Sequence, residues 1–229
     1  MSEDLPPLQL KPREDRRLRG GHLWVFSNEV DTRATPLTAF APGELARVVD
    51  DRGAFVGFGY VNPAVLIAAR LLSRSAAEPV GPRLFESRLA LAQRLRCDLG
   101  REQYGRWVFG ESDRLPGLIL DRFGSVVVGQ THTQGMERLR DSVAAAVARV
   151  PGIDTLVWKN DSAARELEGL ASEFHVAFGT APKELTVIEG SLPDRPLRFA
   201  APLERGQKTG WFYDQTDNRA RLARLVRPG

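Results

Sequence analysis

A glycine-rich β-hairpin near the start of the sequence most constrains what this chain can fold into. Valine and aromatic residues recur in the two runs at 43–49 and 54–60, which flank a turn ending at Gly53, a residue that tolerates positive φ. Gly57 and Gly59 alternate with larger side chains, so one face of the second strand is bare. Such a face indicates a bend or the close approach of another backbone.

The other β-rich stretches in this part of the chain are equally short. They lie at 8–10, 22–26 and 65–72, and a charged helical turn at 13–19 separates the first two. Strands of this length leave unpaired edges, and a small closed or nearly closed barrel hides such edges. We therefore predict an α+β fold that begins with a β-barrel domain over residues 1–75.

The composition is typical of a globular protein without disulfides. With 229 residues and 42% hydrophobic content, the chain is long enough for one large or two ordinary domains. Its single cysteine, Cys97, lies in a helix-like run, where we expect a buried structural thiol. No basic and apolar leader is seen, and no apolar run approaches the ~18 residues of a membrane span. We expect a cytoplasmic protein with no membrane partner.

Cations cluster around the glycine pair that ends the charged helical turn. The candidates for phosphate contact, with the histidine that follows them, are Lys11, Arg13, Arg16, Arg17, Arg19 and His22. Arginine far outnumbers lysine in the chain, which favours RNA because guanidinium groups grip phosphate and stack on bases. Two alternatives remain open: a solvated helix face partly neutralised by Glu14 and Asp15, and an arginine bias of genomic origin, since the net charge is only +3.

A second domain is predicted after a short linker. Alanine, proline and glycine at 76–82 mark the linker, and an amphipathic helix follows over 83–99. Its predicted apolar stripe consists of Leu84, Phe85, Leu91, Leu95 and Leu99. Beyond it, strands are predicted at 106–110, 117–121, 125–129, 155–159, 185–189 and 197–199, with a helix at 135–149. This order predicts a small strand-strand-helix-strand-strand domain over 83–205.

Several acidic residues beside glycine and proline are best interpreted as turn and helix caps. Glu111, Asp113 and Asp121 have no histidine at ligand spacing, so we predict no metal site. Asp161 or Ser162 is expected to cap a helix over 163–170.

The densest mixture of residue types lies at 206–219, which reads GQKTGWFYDQTDNR. Glycines, aromatic residues, acids, amides and cations crowd into a stretch that neither a core strand nor a solvated helix face needs. This density indicates a functional site. The structural alternative is a capped helix entrance with Trp211, Phe212 and Tyr213 in the core.

Four stretches of the sequence resemble signatures of one enzyme family. They are RGGHLWVFSNEV at 19–30, GESDRLPGLILDRFG at 110–124, KNDSAARELEGL at 159–170 and the segment at 206–219. On these motifs the chain resembles the bacterial large-subunit ribosomal RNA cytosine-C5 methyltransferases, which combine a PUA domain, a small α/β domain and a Rossmann-like domain that binds S-adenosylmethionine. The resemblance extends from about residue 8 to 227.

The resemblance implies RNA binding by a PUA domain and an S-adenosylmethionine site in the intact enzyme. The cofactor-binding residues that it implies in this chain are Gln207, Thr209, Gly210, Asp214 and Arg219, of which Arg219 would reach a carboxylate of the donor. Residues 206–229 would be the entry to the methyltransferase domain, and we expect the chain to stop before its Rossmann-like part. We assign no catalytic residue, because the family's cysteines lie in that part, and we expect the chain to be inactive alone.

Two functions are consistent with these features. One is the N-terminal part of an S-adenosylmethionine-dependent ribosomal RNA (cytosine-C5) methyltransferase, which binds and positions RNA. The alternative is a stand-alone PUA-type RNA-binding or adaptor protein without catalysis. Ribosomal RNA is the expected partner in both, and a homodimer is left open.

The basic turn gives a first testable prediction. Replacing Arg16, Arg17 and Arg19 together by alanine should weaken binding to structured ribosomal RNA and flatten its salt dependence, because phosphate contacts release counterions. A filter-binding titration over a salt series measures both quantities. Unchanged affinity and slope would mean that the cluster is only a solvated face.

Overall fold

Three β-sheets organise residues 5–189 and 197–225, the part of the chain that the computed structural model describes. Two of the sheets have five strands each, and the third is a two-stranded hairpin. The predicted mixture of helices and sheets is confirmed.

The first sheet is the predicted barrel. Its strands are β1 (Pro7–Gln9), β2 (Trp24–Val25), β3 (Glu44–Val49), β4 (Phe55–Val61) and β5 (Ala69–Ser73), in the spatial order β1-β3-β4-β5-β2. β1 runs parallel to β3, and the other pairs are antiparallel. A bridge between Leu10 and Val30 joins the chain beyond β1 to the chain beyond β2, so the sheet nearly closes on itself. The short helix α1 (Asp15–Arg19) lies between the first two strands.

The bare face of β4 results from the close approach of another backbone, one of the two causes that the sequence indicated. A Cβ atom on Gly59 would lie 2.3 Å from the carbonyl oxygen of Arg70 in β5, and one on Gly57 would lie 2.6 Å from that of Ser73. Neither contact is sterically allowed, so glycine is what lets the two backbones approach here.

The second sheet carries the helices. The elements are α2 (Pro82–Asp98), β6 (Tyr104–Phe109), β7 (Leu118–Phe123), β8 (Val126–Thr131), α3 (Gln134–Arg138), α4 (Arg140–Val147), β9 (Thr155–Asn160), α5 (Ala164–Leu167) and β10 (Glu173–Phe178). The strand order is β10-β9-β8-β7-β6, with β8 and β9 parallel and the other pairs antiparallel. The helix predicted over 135–149 is interrupted at Leu139, and β10, an edge strand, was not predicted.

Both faces of this sheet are covered, and side chains alternate between two cores. Val127 and Trp158 pack with α2 and α4, whereas Val128 and Val157 pack against a hairpin formed by β11 (Glu184–Glu189) and β12 (Leu197–Pro202). This explains why β7 and β9 are buried along their whole length. The hairpin is confirmed, while its predicted connection at 190–196 lies outside the described residues.

The predicted apolar stripe of α2 is wrong in part. Its buried residues are Leu84, Phe85, Leu89 and Ala92, whereas Leu91, Leu95 and Leu99 are 44%, 48% and 61% exposed. α2 packs against α4 and β6 through this buried row of residues. Because each residue turns an α-helix by about 100°, a residue two positions from the row points about 200° away from it. Cys97 is exposed as well, so the expectation of a buried thiol is also wrong.

The barrel and the second sheet share one apolar core. Tyr60 of β4 is fully buried within it, and its hydroxyl donates to the carbonyl oxygen of Pro116 at 2.8 Å. Gly135 in α3 makes room for this ring, since a Cβ there would lie 2.0 Å from Tyr60 Cγ. The two parts are therefore packed without a gap at this point.

A buried carboxylate beside α5 ties the same two parts together. Glu168 accepts hydrogen bonds from Asn62 Nδ2 at 2.7 Å and from Arg70 at 2.9 Å, both in the barrel, and from the backbone N–H of Gln134 at 3.2 Å. The Arg70 and Glu168 side chains are only 12% and 5% exposed. Glu168, which directly follows α5, thus connects the barrel to α3 and α5.

This connection can be tested by mutation. We expect Glu168→Ala to lower the free energy of unfolding by ~3 kcal/mol, because it leaves the buried Arg70 guanidinium without its partner. Urea unfolding followed by circular dichroism measures the change. Glu166→Ala, at an exposed position of the adjacent short helix α5, is the control and should leave the unfolding midpoint unchanged. Equal midpoints for both variants would contradict a structural role for Glu168.

Candidate functional site

A cleft of about 760 Å³ lies beside the second sheet. Residues from five segments line it: 106–112, 117–119, 130–132, 161–163 and 204–208. Three of the four motif stretches singled out from the sequence contribute to this lining. We call this cavity the cleft.

The parallel pairing of two strands explains why polar side chains meet in the cleft. His132 follows β8, and Asp161 and Ser162 follow β9, which is its parallel neighbour. The carboxyl ends of parallel strands lie at the same edge of a sheet, where ligand sites commonly form. The cleft is therefore a product of topology as well as of residue type.

A buried carboxylate fixes the wall of the cleft formed by 204–208. Asp121 is fully buried, and it accepts two hydrogen bonds from the Arg106 guanidinium, at 2.9 and 3.0 Å, and one from the Thr209 hydroxyl. Lys159 Nζ donates to the carbonyl oxygen of Gly206. Burial lowers the pKa of Lys159 even though Asp161 favours its charged form. The segment that contains the most distinctive motif is thus held on the sheet at two points.

The residues implied for cofactor binding are separated by this arrangement. Gln207 is exposed and lines the cleft, whereas Asp214 lines a neighbouring cavity of about 740 Å³. Thr209 is fully buried, with its hydroxyl on Asp121. Gly210 follows at φ +115°, where a Cβ atom would lie 2.9 Å from Leu185. The assignment of these residues to a cofactor stays a prediction.

Arg219 forms an ion pair within the chain. It lies on α6 (Thr216–Ala223) and donates from Nε to Glu189 Oε2 at 2.8 Å, with a second bond to Oε1. Its guanidinium also lies over the Trp211 ring, 4.6 Å from the centroid. Burial favours a raised pKa for Glu189, but hydrogen bonds from Arg219, Trp211 and Thr216 lower it. The Arg219 guanidinium was expected to reach the carboxylate of the methyl donor, but in this structure it pairs with the carboxylate of Glu189.

The predicted RNA-binding cations differ in their surroundings. Arg17 donates to the buried Glu29 at 2.5 Å and contacts His22 Nδ1 at 2.9 Å, and Arg19 pairs with Asp15 and Asp50. Lys11 Nζ donates to the carbonyl oxygen of Asn28 at 2.7 Å.

The other two predicted RNA-binding cations, Arg13 and Arg16, are also exposed. Within residues 5–189 and 197–225, neither has an acidic partner within ion-pair distance. These two guanidinium groups therefore keep the largest freedom to meet a phosphate.

Sequence reasoning missed His132 and assigned Ser162 the wrong role. No side chain caps α5, so the predicted cap by Asp161 or Ser162 is wrong. In the described part of the chain, His132 Nε2 and Ser162 Oγ are both buried without a hydrogen-bond partner. Burial, together with the positive charges of Arg165 and Arg106, lowers the pKa of His132, so its ring is neutral near pH 7. A signal was present in principle, since each residue lies three positions after a predicted strand.

Membrane-spanning helices and clusters of metal-ligating side chains are both absent from the described ranges, 5–189 and 197–225. No helix there has the length and apolar character to cross a bilayer. No group of three His, Cys, Asp or Glu side chains is arranged to hold a metal ion there.

Comparison with known proteins relates the chain to one kind of enzyme. A family model described as a PUA-like domain matches residues 8–74. Proteins named ribosomal RNA large subunit methyltransferase I are 34% identical in Shewanella denitrificans, 33% in Shewanella frigidimarina and 32% in Salmonella arizonae, each over 96% of this chain. The chain spans about half the length of these relatives, 54–55%.

Solved structures show the same fold at lower identity. A protein of Streptococcus mutans, described as a SAM-dependent methyltransferase, aligns with a TM-score of 0.73 at 17% identity, over 95% of this chain and 54% of its own. A second structure, described as a methyltransferase complexed with SAH, aligns with a TM-score of 0.74 at 17% identity, over 95% of this chain and 53% of its own. The expectation that the chain stops before a Rossmann-like domain is not confirmed and stays a prediction.

The anchoring of the cleft wall gives a prediction that does not depend on function. Thr209→Val removes one donor from the buried Asp121 carboxylate at nearly constant volume, so the free energy of unfolding should fall by about 1–3 kcal/mol. Thr186→Val, at an exposed position of β11, is the matched control. Urea unfolding compares the two variants, and amide hydrogen exchange of 206–210 should accelerate only in Thr209→Val. Equal stability and exchange would show that Asp121 does not hold this segment.

Proposed function

We propose that this chain is the RNA-binding and RNA-positioning part of an S-adenosylmethionine-dependent methyltransferase that acts on cytosine C5 of large-subunit ribosomal RNA. The observation that carries the proposal is the 34% identity to a ribosomal RNA large subunit methyltransferase I over 96% of the chain. The PUA-like match over 8–74 supports a barrel that faces RNA. Activity belongs to the whole protein, since the chain corresponds to about half of that relative.

The contact with phosphate is assigned to the exposed cations of the barrel. Arg13 and Arg16 present exposed guanidinium groups, and such groups form bidentate contacts with phosphate oxygens. Arg17 has a different role. Its charge is paired with the buried Glu29, and this ion pair stabilises the turn between α1 and β2. The proposed RNA contact therefore involves fewer residues than the full cluster that the sequence predicted.

The methyl donor is S-adenosylmethionine, which supplies an electrophilic methyl group when bound. Among the described residues, Gln207 and Asp214 keep exposed polar groups, but they line two different cavities. Thr209 and Arg219 are engaged with Asp121 and Glu189. These residues do not by themselves fit a complete donor site, so we propose that they form and stiffen one wall of it in the whole protein.

The transfer step is not assigned to residues of this chain. Methylation at cytosine C5 requires a thiolate that adds at C6, and the only cysteine, Cys97, is exposed on α2 and does not line the cleft. The alternative of a stand-alone RNA-binding or adaptor protein needs the same RNA contacts. Methyl transfer by the whole protein distinguishes the two functions.

RNA binding by the full chain tests the proposal directly. A double variant, Arg13→Ala with Arg16→Ala, should bind a fragment of large-subunit ribosomal RNA more weakly and reduce the slope of log affinity against log salt by about 2, one for each lost phosphate contact. Arg94→Ala removes an exposed arginine from α2 and serves as the control with an unchanged slope. Filter binding over a salt series gives both values. Absence of binding by the wild-type chain, or a slope unaffected by the double variant, would overturn the proposed contact.

A further inference from the structure

A groove lies where the barrel meets the second sheet. It consists of two cavities, of about 450 and 300 Å³, and Leu23, Arg74 and Arg114 line both of them. Arg74 directly follows β5 of the barrel, whereas Arg114 belongs to the connection between β6 and β7. We call these two cavities the junction groove. Its walls come from both parts of the chain, and each wall carries one of these two arginines.

Arg74 and Arg114 differ from the arginines that hold this region together. Arg70, Arg96 and Arg88 are largely buried and pair with carboxylates at 2.9, 2.7 and 2.8 Å. Within residues 5–189 and 197–225, by contrast, neither Arg74 nor Arg114 has a carboxylate within ion-pair distance, and both are exposed. The ion pairs of the fold therefore leave both charges open to a ligand.

The acidic groups of the junction groove are already engaged. Glu111 accepts a hydrogen bond from Trp24 Nε1 at 2.8 Å, and Glu78 pairs with Arg88 at 2.8 Å. Arg88 also lines the smaller cavity, and in the described part of the chain its Nε is buried without a hydrogen-bond partner. Buried donors are nearly always paired. An unused donor beside unpaired positive charges is what an anion requires.

His22 adds a further donor to the larger cavity, which it lines. Its Nδ1 accepts the backbone N–H of Trp24 at 3.1 Å and lies 2.9 Å from the Arg17 guanidinium, which can only donate. Nδ1 therefore carries no hydrogen, and the N–H of the ring is at Nε2. Phosphate oxygens accept several hydrogen bonds at once, so this N–H and the two guanidinium groups have compatible roles.

The backbone of Arg114 supports a role for its side chain. Its φ is +59°, in the left-handed region where glycine is favoured and other residues are uncommon. Residues held in this region cluster at binding and active sites. The Arg114 guanidinium has no hydrogen-bond partner among the described residues, so no contact within this part of the fold explains why an arginine lies there.

The junction groove continues the basic surface of the barrel. A Cβ atom on Gly21 would lie 3.4 Å from Arg74 Nη1, so this guanidinium lies against the turn that follows α1. Arg74 also donates to the carbonyl oxygen of Leu18 in α1 at 3.2 Å. Arg16, one of the two cations proposed to meet phosphate, is on the same helix. Cations thus extend from α1 through Arg74 to Arg114.

We propose that the junction groove binds a backbone phosphate of the RNA, which Arg74 and Arg114 contact from opposite walls. Both guanidinium groups donate to its oxygens, and the His22 Nε2–H is a third donor. The contact does not depend on base sequence, because phosphate contacts position a nucleic acid without reading its bases. This inference rests on the proposed RNA-binding function and adds a phosphate contact that spans the two parts of the chain.

A salt series with the full chain and a fragment of large-subunit ribosomal RNA tests the contact. Arg74→Ala with Arg114→Ala should weaken binding about tenfold and reduce the slope of log affinity against log salt by about 1, the value for one phosphate. The same loss is expected for a fragment of equal secondary structure and altered base sequence. Arg74→Lys with Arg114→Lys keeps both charges and should retain the wild-type slope.

The matched control removes the same charge elsewhere. Arg33→Ala with Arg94→Ala deletes two exposed arginines, one from the barrel and one from α2, and neither lines the junction groove. Its slope should equal that of the wild type. A control that lowers the slope as much as the groove variant would show that only net charge matters, and would overturn the proposed contact.

Arg114→Gly separates RNA binding from folding. Glycine adopts positive φ without steric cost, so the midpoint of urea unfolding should stay the same or rise. RNA binding should nevertheless weaken, by about threefold. Wild-type affinity in this variant would show that the Arg114 side chain does not contact the RNA.

Arginine side-chain resonances distinguish RNA from a small anion. In the ¹⁵N-labelled wild-type chain, the Nε–H signals of Arg74 and Arg114 should shift on addition of the RNA fragment. Inorganic phosphate at the same concentration should leave them in place, because it makes none of the other contacts that RNA makes. Saturable shifts with inorganic phosphate, together with an unchanged salt slope for RNA in the double variant, would identify a small-anion site and overturn the RNA contact.

The outcomes separate this inference from the function on which it rests. If the wild-type chain binds no RNA, both fail. If the Arg13 and Arg16 variant lowers the slope but the Arg74 and Arg114 variant matches its control, RNA binding by the barrel stands and the contact in the junction groove is overturned. Reductions in slope that add together when all four arginines are replaced support two separate phosphate contacts.

Discussion

The buried carboxylate of Asp121 is the contact on which the shape of the cleft depends. It lies inside the sheet on β7 and is held by Arg106 from β6 and by Thr209 from the segment that follows the hairpin. A buried carboxylate without partners is strongly unfavourable, so these donors have to stay in place together. The segment that forms one wall of the cleft is therefore tied to the sheet by electrostatics as well as by packing. The contact between Lys159 and Gly206 adds a second tie on β9.

Local sequence patterns predicted most of the barrel and the strands of the second sheet. The alternation around Gly57 and Gly59 indicated the hairpin and left two causes for its bare face, a bend or the close approach of another backbone, of which the structure shows the second. The buried face of α2 could not be predicted from a local pattern in the same way. Leucines lie on two sides of that helix, and only the packing against α4 and β6 selects the row with Leu89 and Ala92. The edge strand β10 was missed because its pairing with β9, rather than its own alternation, defines it.

The candidate site was less accessible from the sequence than the fold. The motif stretches were found because unusual residue types crowd together in them, yet the partners of Thr209 and Arg219 lie 88 and 30 residues away in the chain. No local pattern shows that these side chains are engaged. His132 and Ser162 become neighbours only through the parallel pairing of β8 and β9, which is a long-range property. Single residues such as Arg17 illustrate the same limit, since its buried partner Glu29 converts an apparent surface cation into part of the fold.

The junction made by Glu168 and by Tyr60 against Gly135 has a consequence for affinity. The barrel is joined to the second sheet by packed side chains and a buried ion pair rather than by a flexible linker. Two weak RNA contacts, one on each part, would therefore lie at a fixed separation. Once the first contact had formed, the second would be an intramolecular event with a high effective concentration and little loss of chain entropy. Under the proposed function, RNA whose geometry matches that separation would gain the product of both contacts, whereas other RNA would gain only one. A rigid joint would then turn modest individual contacts into selection for RNA shape.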